Sequence, residues 1–251
     1  SAAPAPDGRS RGGRTAPEAP GEAPGNGSGN PGGGGGGDSA GIPLTVATRP
    51  YVWEDRCDQW YLTDRQPLFM PTPPEEADSL GWAANLRAVS GGHAKVEFSV
   101  QGKGPEAVVL HAARVRVVNR TAPLSWTAYT MGSGCGGGLT PAFHDIDLDA
   151  EQPVVRPVSG VQGDVKVPAT DFPYRVSSTD PQVLEVVART EGHDVSWYLE
   201  LEWSSGDRHG TLRLDDHGRP FRTSAIKDRP QYLYELGRDV WTRVEDEYRS
   251  K

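Results

Sequence analysis

The chain has 251 residues, with 26 Lys and Arg against 34 Asp and Glu for a net charge of −8, two cysteines, 31 glycines and 22 prolines. That length can bury a sizeable core. The acidic balance excludes a general nucleic-acid binder, which needs a basic surface to displace counterions from phosphates. No run of about 18 apolar residues offers a membrane span.

Composition divides the chain at about residue 42. Residues 1–41 hold 14 of the 31 glycines and six prolines, include the run Gly32 to Gly37, and contain no Val, Ile, Leu, Met, Phe, Trp, Tyr or Cys. With nothing to bury, such a segment cannot offset an ordering cost of about 1–2 kcal/mol per residue. It is expected to be a disordered tether, with a root-mean-square span of roughly 35 Å for a Gly-rich coil. All 20 aromatic residues fall in residues 42–251, which carry −7 of the charge and no second linker. One domain is expected there. The chain starts at Ser1 rather than Met and shows no signal peptide, so it is expected to be a processed product or a fragment.

Along the domain, Pro73-Pro74 followed by Glu75 and Glu76 predicts a short helix. Trp82, Leu86 and Val89 form its stripe, and Gly91-Gly92 closes it. Residues 94–101 (AKVEFSVQ) alternate as a strand with Val96, Phe98 and Val100 on one face. Residues 107–118 (AVVLHAARVRVV) set Val109, Val115 and Val117 against Arg114 and Arg116. Residues 183–188 form another strand, and residues 195–203 (VSWYLELEW) the clearest one. In the latter, Trp197, Leu199, Leu201 and Trp203 share the buried face. Residues 211–214 are its hairpin partner across the turn Ser204-Ser205-Gly206-Asp207. The tail from Tyr232 to Tyr248 fits either a helix or, at residues 240–244, a final strand. The fold class expected is mainly β, an antiparallel sandwich or barrel with one short N-terminal helix.

The chemistry-bearing residues are sparse. Cys57 and Cys135 stand 78 apart with no further Cys or His at metal spacing. Zinc is therefore disfavoured, and one disulfide or two unpaired thiols remain as readings. The G-x-G-x-x-G formed by Gly132, Gly134 and Gly137 is followed by Leu139-Thr140-Pro141 rather than a helix start. It reads as a compact loop letting backbone pass close to a disulfide, not a phosphate cradle, and no cofactor is implied. Asp145, Asp147 and Asp149 (HDIDLD) are metal candidates. An EF-hand counted from Asp145 would place Gly and Glu where Ala150 and Arg156 stand. A solvated strand face and a calcium site using loop carbonyls are the two readings left. No HExxH motif or GxSxG elbow is present. Asp215-Asp216-His217-Gly218 reads as a hairpin turn. Trp82, Trp197 and Trp203 sit at core-type positions, which leaves Trp53, Trp60, Trp126 and Trp241 as candidate ligand platforms.

Three stretches carry a resemblance. They are CDQWYL from Cys57 with Thr63-Asp64-Arg65 and Pro71-Thr-Pro-Pro74; APLSWTAYTMGSGCGGGLT from Ala122 with Asp147-Leu148-Asp149; and FPYRVSSTD, WYLELEWSSG and GRPFRTS from Phe172, Trp197 and Gly218. Over about Tyr51 to Trp241 the chain resembles the C-terminal region of Streptomyces-type actinobacterial membrane-anchored helix-turn-helix regulators. The resemblance implies a domain outside the membrane, joined by a low-complexity linker to a membrane helix and a cytoplasmic DNA-binding domain. Similar proteins carry an added cysteine pair where this chain reads His193-Asp194-Val195-Ser196, so Cys57–Cys135 is the only bridge possible. The function implied is a non-catalytic extracytoplasmic sensor or interaction domain, tethered to a membrane helix upstream. Its partner would be a protein, small-molecule or glycan ligand, with no nucleic acid bound and no membrane insertion through this chain. A carbohydrate-binding sandwich and a secreted hydrolase using carboxylates are the alternatives.

Overall fold

A computed structural model describes residues 41–53, 55–132, 143–162 and 164–245. The tether apart from Gly41, and the glycine loop after Gly132 with Cys135, lie outside the described residues. The fold is mainly β. Seventeen strands and one α-helix of more than a single turn are described.

Strand β1 (Leu44–Val52) pairs antiparallel with β4 (His93–Gly102), and β4 pairs antiparallel with β12 (Gln182–Arg189). β7 (His144–Asp147) then adds to β12 in parallel, and the short β8 (Arg156–Pro157) closes a five-stranded sheet. The second sheet has ten strands. Its centre is β13 (Asp194–Ser205), paired with β5 (Val108–Thr121) on one side and with β14 (Arg208–Leu214) and β15 (Phe221–Ser224) on the other. From β15 it continues through β3 (Val89–Gly91), β2 (Trp60–Thr63), β6 (Thr127–Thr130), β16 (Gln231–Glu235) and β17 (Val240–Arg243). β11 (Tyr174–Val176) extends the far end of the sheet on β5. β9 (Gly160–Gln162) and β10 (Val165–Val167) form a separate ribbon.

The two sheets pack as a sandwich because their inner positions are apolar with period two. Val96, Phe98 and Val100 of β4 and Leu184, Val186 and Ala188 of β12 meet Val195, Trp197, Leu199 and Leu201 of β13 in one core. Phe221 links the layers, 4.8 Å from Trp197 and 5.9 Å from Phe98 between ring centroids. A second core gathers Trp53, Tyr61, Met70, Ala83, Leu86, Tyr129, Met131 and Trp241 under the other half of the larger sheet.

Three expectations are corrected. The sheets are mixed rather than purely antiparallel, since β12–β7, β15–β3 and β16–β6 run parallel, and neither closes into a barrel. The helix, α1 (Ser79–Leu86), ends earlier than the glycine pair suggested. Arg87 adopts a left-handed conformation with φ 50°, its N–H reaching Ala83 and Ala84 carbonyls, and Val89 starts a strand instead. In β5, Val109 does not share a face with Val115 and Val117, for the reason given below. The tail resolves as the hairpin β16–β17. The turn at residues 215–218 has His217 and Gly218 both at positive φ, bridged by Asp216 and Arg219.

Candidate functional site

The HDIDLD carboxylates are committed to the framework. Asp145 accepts from Arg189 Nε at 2.9 Å. Asp147 accepts from the Asp149 amide at 2.9 Å. Asp149 lies beyond the strand and caps the turn between β12 and β13. It receives the Thr190 hydroxyl at 2.7 Å, the Glu191 and Gly192 amides at 2.6 and 3.2 Å, and stands 2.6 Å from His193 Nδ1. Burial pushes its pKa up, but those hydrogen bonds outweigh burial and hold the carboxyl below its ordinary value. Among the described residues no group of three metal-ligating side chains converges. Nearby, His93 Nε2 stands 3.1 Å from Asp58 Oδ2. Asp58 is also held low against its burial, by the His93 hydrogen bond and the charges of His93 and Arg189.

The four candidate tryptophans do not form one exposed platform. Trp53 is 6% exposed, with its indole N–H on Tyr61 Oη, and Trp241 is 9% exposed, with its indole N–H on the Pro71 carbonyl. Trp60 and Trp126 are half-buried, and Arg222 sits 6.0 Å over the Trp126 ring while chelating Asp194. Trp197 and Trp203 are core, as expected. One ionisable group the sequence did not single out is His144, buried between the Glu185 carbonyl and Tyr174 Oη, where burial lowers its pKa.

The geometry that stands out is a groove of about 750 Å³ along one edge of β5. Two bulges shape it. Leu201 faces Ala113, but two residues on Trp203 faces Leu110, so His111 is extra; likewise Trp197 faces Val117 while Ser196 faces Asn119, so Val118 is extra. Each bulge shifts the phase by one. Val108 and Leu110, then Ala113, Val115 and Val117, therefore all point into the core, while Val109 turns away. The same shift aims Arg120 inward opposite Val195. Its Nη2 donates to the carbonyls of Leu148 at 2.7 Å and Ala150 at 2.8 Å, while its Nε is buried without a partner among the described residues. Arg120 thus ties the edge of β5 to the segment that follows β7. That segment, Glu151 to Val155, forms the opposite wall of the groove.

Among the described residues β5 is paired from Ala112 to Arg120 only with β13, because β11 covers it no further than Leu110. The other backbone edge faces the groove with no strand on it among the described residues. Core-side Ala113, Val115 and Val117 are only partly buried, and Val154 on the wall is 50% exposed. On the outer face Arg114 Nε and Arg116 Nε each bind a glutamate of β13, Glu202 at 2.5 Å and Glu200 at 2.6 Å. A slot with apolar floor, charged rim and an open main-chain edge is what an extended ligand requires.

No protein-family model matches the chain, and no curated protein or solved structure is significantly similar to it.

Proposed function

We propose that this is a non-catalytic sensor or interaction domain of a membrane-anchored regulator, acting outside the membrane and binding its ligand along the β5 groove. One observation carries the binding role: a long strand keeps one edge open beside a preformed slot of about 750 Å³. The carboxylates that a hydrolase would need are instead spent on Arg189, on the Asp149 amide and on the turn at residues 190–193. A glycan platform is disfavoured by the burial of Trp53 and Trp241. Ligand in the groove would bias the signalling state by whatever affinity difference it has between the two states.

A disulfide between Cys57 and Cys135 belongs to the same reading, since such bonds persist in oxidising compartments. A Cβ on Gly132 would lie 2.7 Å from Arg56 Cβ and 3.3 Å from the Cys57 amide nitrogen, so the backbone passes against Cys57 there. Cys135 is three residues on, a reach of at most about 10 Å.

The location is tested by labelling intact cells that make the full-length protein with a membrane-impermeant amine reagent. Lys166 and Lys227, both exposed, should react before lysis; reaction only after lysis would overturn it. The ligand site is tested by Val154→Asp in the same cells, which should change the regulator's output at unchanged protein level. The intact mass should be lighter by two hydrogens than the reduced chain.

A further inference from the structure

Resting on that reading of the groove, we propose that β5 takes up an extended polypeptide of alternating apolar and acidic side chains as an added strand, between Ala112–Val117 and the wall Glu151–Val155.

The open edge decides the backbone chemistry. A β-strand presents N–H and C=O groups at a fixed repeat, and another strand matches that repeat along its length. A sugar chain has no such matching repeat. The volume fits a short strand: at a strand spacing of about 4.8 Å, a rise of about 3.3 Å and a layer of about 10 Å, each residue fills roughly 160 Å³. The groove of about 750 Å³ then holds about five residues, against the six of β5 that line it without interruption, Ala112 to Val117.

Side-chain chemistry follows from the two faces. Residues of the added strand that point core-side meet Ala113, Val115 and Val117, with Val155 packed against the same core. Those positions want Val-sized apolar groups. Residues that point outward come beside Arg114 and Arg116, which are about half exposed and hold their glutamates through Nε. Among the described residues their terminal guanidinium nitrogens meet no hydrogen-bond acceptor, and a carboxylate suits their fork.

Two nearer occupants fit worse. A second copy pairing β5 to β5 antiparallel would set Arg114 and Arg116 against the same arginines, and like charges opposite one another destabilise a sheet. The chain's own first 41 residues hold no apolar side chain larger than alanine or proline, so they cannot fill the core-side positions.

The test uses the whole 251-residue chain, isotope-labelled, titrated with the capped hexapeptide Val-Glu-Val-Glu-Val-Glu while backbone amide shifts and exchange are followed. Expected is saturable binding with shifts and new exchange protection confined to residues 112–120 and 151–155. Affinity should fall at least tenfold for the Val-Lys counterpart, for the peptide N-methylated at alternate residues, and for Val154→Asp. Arg114→Gln with Arg116→Gln should erase the preference for Glu over Lys but keep the sensitivity to N-methylation. Binding indifferent to N-methylation would overturn strand addition, and binding that favours Lys would overturn the acidic specificity. If a soluble oligosaccharide moves the same amides and the peptide does not, the groove is a ligand site and the peptide proposal fails. If no probe of either kind moves them, the binding role of the groove fails with it.

Discussion

Asp149 shows how much one carboxylate can organise. Its two oxygens gather a hydroxyl, two amides and an imidazole from four successive residues, Thr190 to His193. A water-exposed aspartate at the end of HDIDLD would gain nothing comparable. Asp149→Ala leaves those donors without their acceptor and should cost about 2–4 kcal/mol in denaturant unfolding. Because Asp149 and Asp58 are both held below the ordinary carboxylate pKa, the pH dependence has a definite sign. Their contribution is complete above the unfolded carboxylate range near 4 and is withdrawn as pH falls through the lower folded values. Unfolding free energy measured from pH 6 down to pH 3 should decline, and less steeply in Asp149→Asn. An equal slope in the variant would remove Asp149 from the account. At the other end of β13, Gly210 lies against the Trp203 indole, where an added Cβ would come within 2.9 Å of Cζ2. Gly210→Ala should lower stability by about 1–3 kcal/mol, with a changed near-ultraviolet signal from the displaced ring.

At the level of the element, β5 explains both what the sequence discloses and what it hides. Period-two alternation marks β4 and β13 without ambiguity, and Val96, Phe98, Val100, Trp197 and Leu201 are fully buried. The same reading applied across β5 joins Val109 to Val115, although the bulge at His111 puts them on different faces. The phase break is visible in the sequence as a spacing of three, from Leu110 to Ala113 and from Val117 to Arg120, where two is expected. A spacing alone does not say which residue is extra, because that depends on the partner strand. The groove was illegible for a further reason: its second wall lies 31 to 43 residues along the chain and is joined to β5 through the carbonyls of Leu148 and Ala150. No side-chain pattern advertises a carbonyl. Arg120→Leu removes both hydrogen bonds and should speed amide exchange in residues 151–155 well beyond its effect on β13. Arg120→Lys, with a single ammonium in place of the planar fork, should recover that protection only in part. Uniform acceleration across the whole domain would mean that Arg120 merely stabilises the fold and does not hold the wall.

Across the whole molecule, the ten-stranded sheet runs over two apolar cores, and the passage from one to the other is narrow. β15 and β3 are paired at only two positions, Thr223 with Ser90 and Ser224 with Gly91. Reinforcement comes from backbone bonds around them: Gly92 donates to Ser224 and accepts from Thr190, and Ala225 donates to His193, each at 2.8 Å. The turn that Asp149 caps is therefore part of this passage. Packing there leaves no room, since a Cβ on Gly91 would fall 2.7 Å from Ile226 Cγ2 and 3.1 Å from Trp60 Cβ. Two cores joined by one continuous sheet should unfold together, giving one calorimetric transition whose calorimetric and van't Hoff enthalpies agree. Gly91→Val acts on the passage and on neither core. It should lower the midpoint and split or broaden the transition, because the core around Trp197 can then persist after the core around Tyr129 and Trp241 has melted. Two transitions in the unaltered chain would show that the cores are energetically separate despite the shared sheet. A Gly91→Val variant that keeps one sharp transition at the original midpoint would place their coupling in the continuous chain from β3 into β4, and not in the β15–β3 pairing.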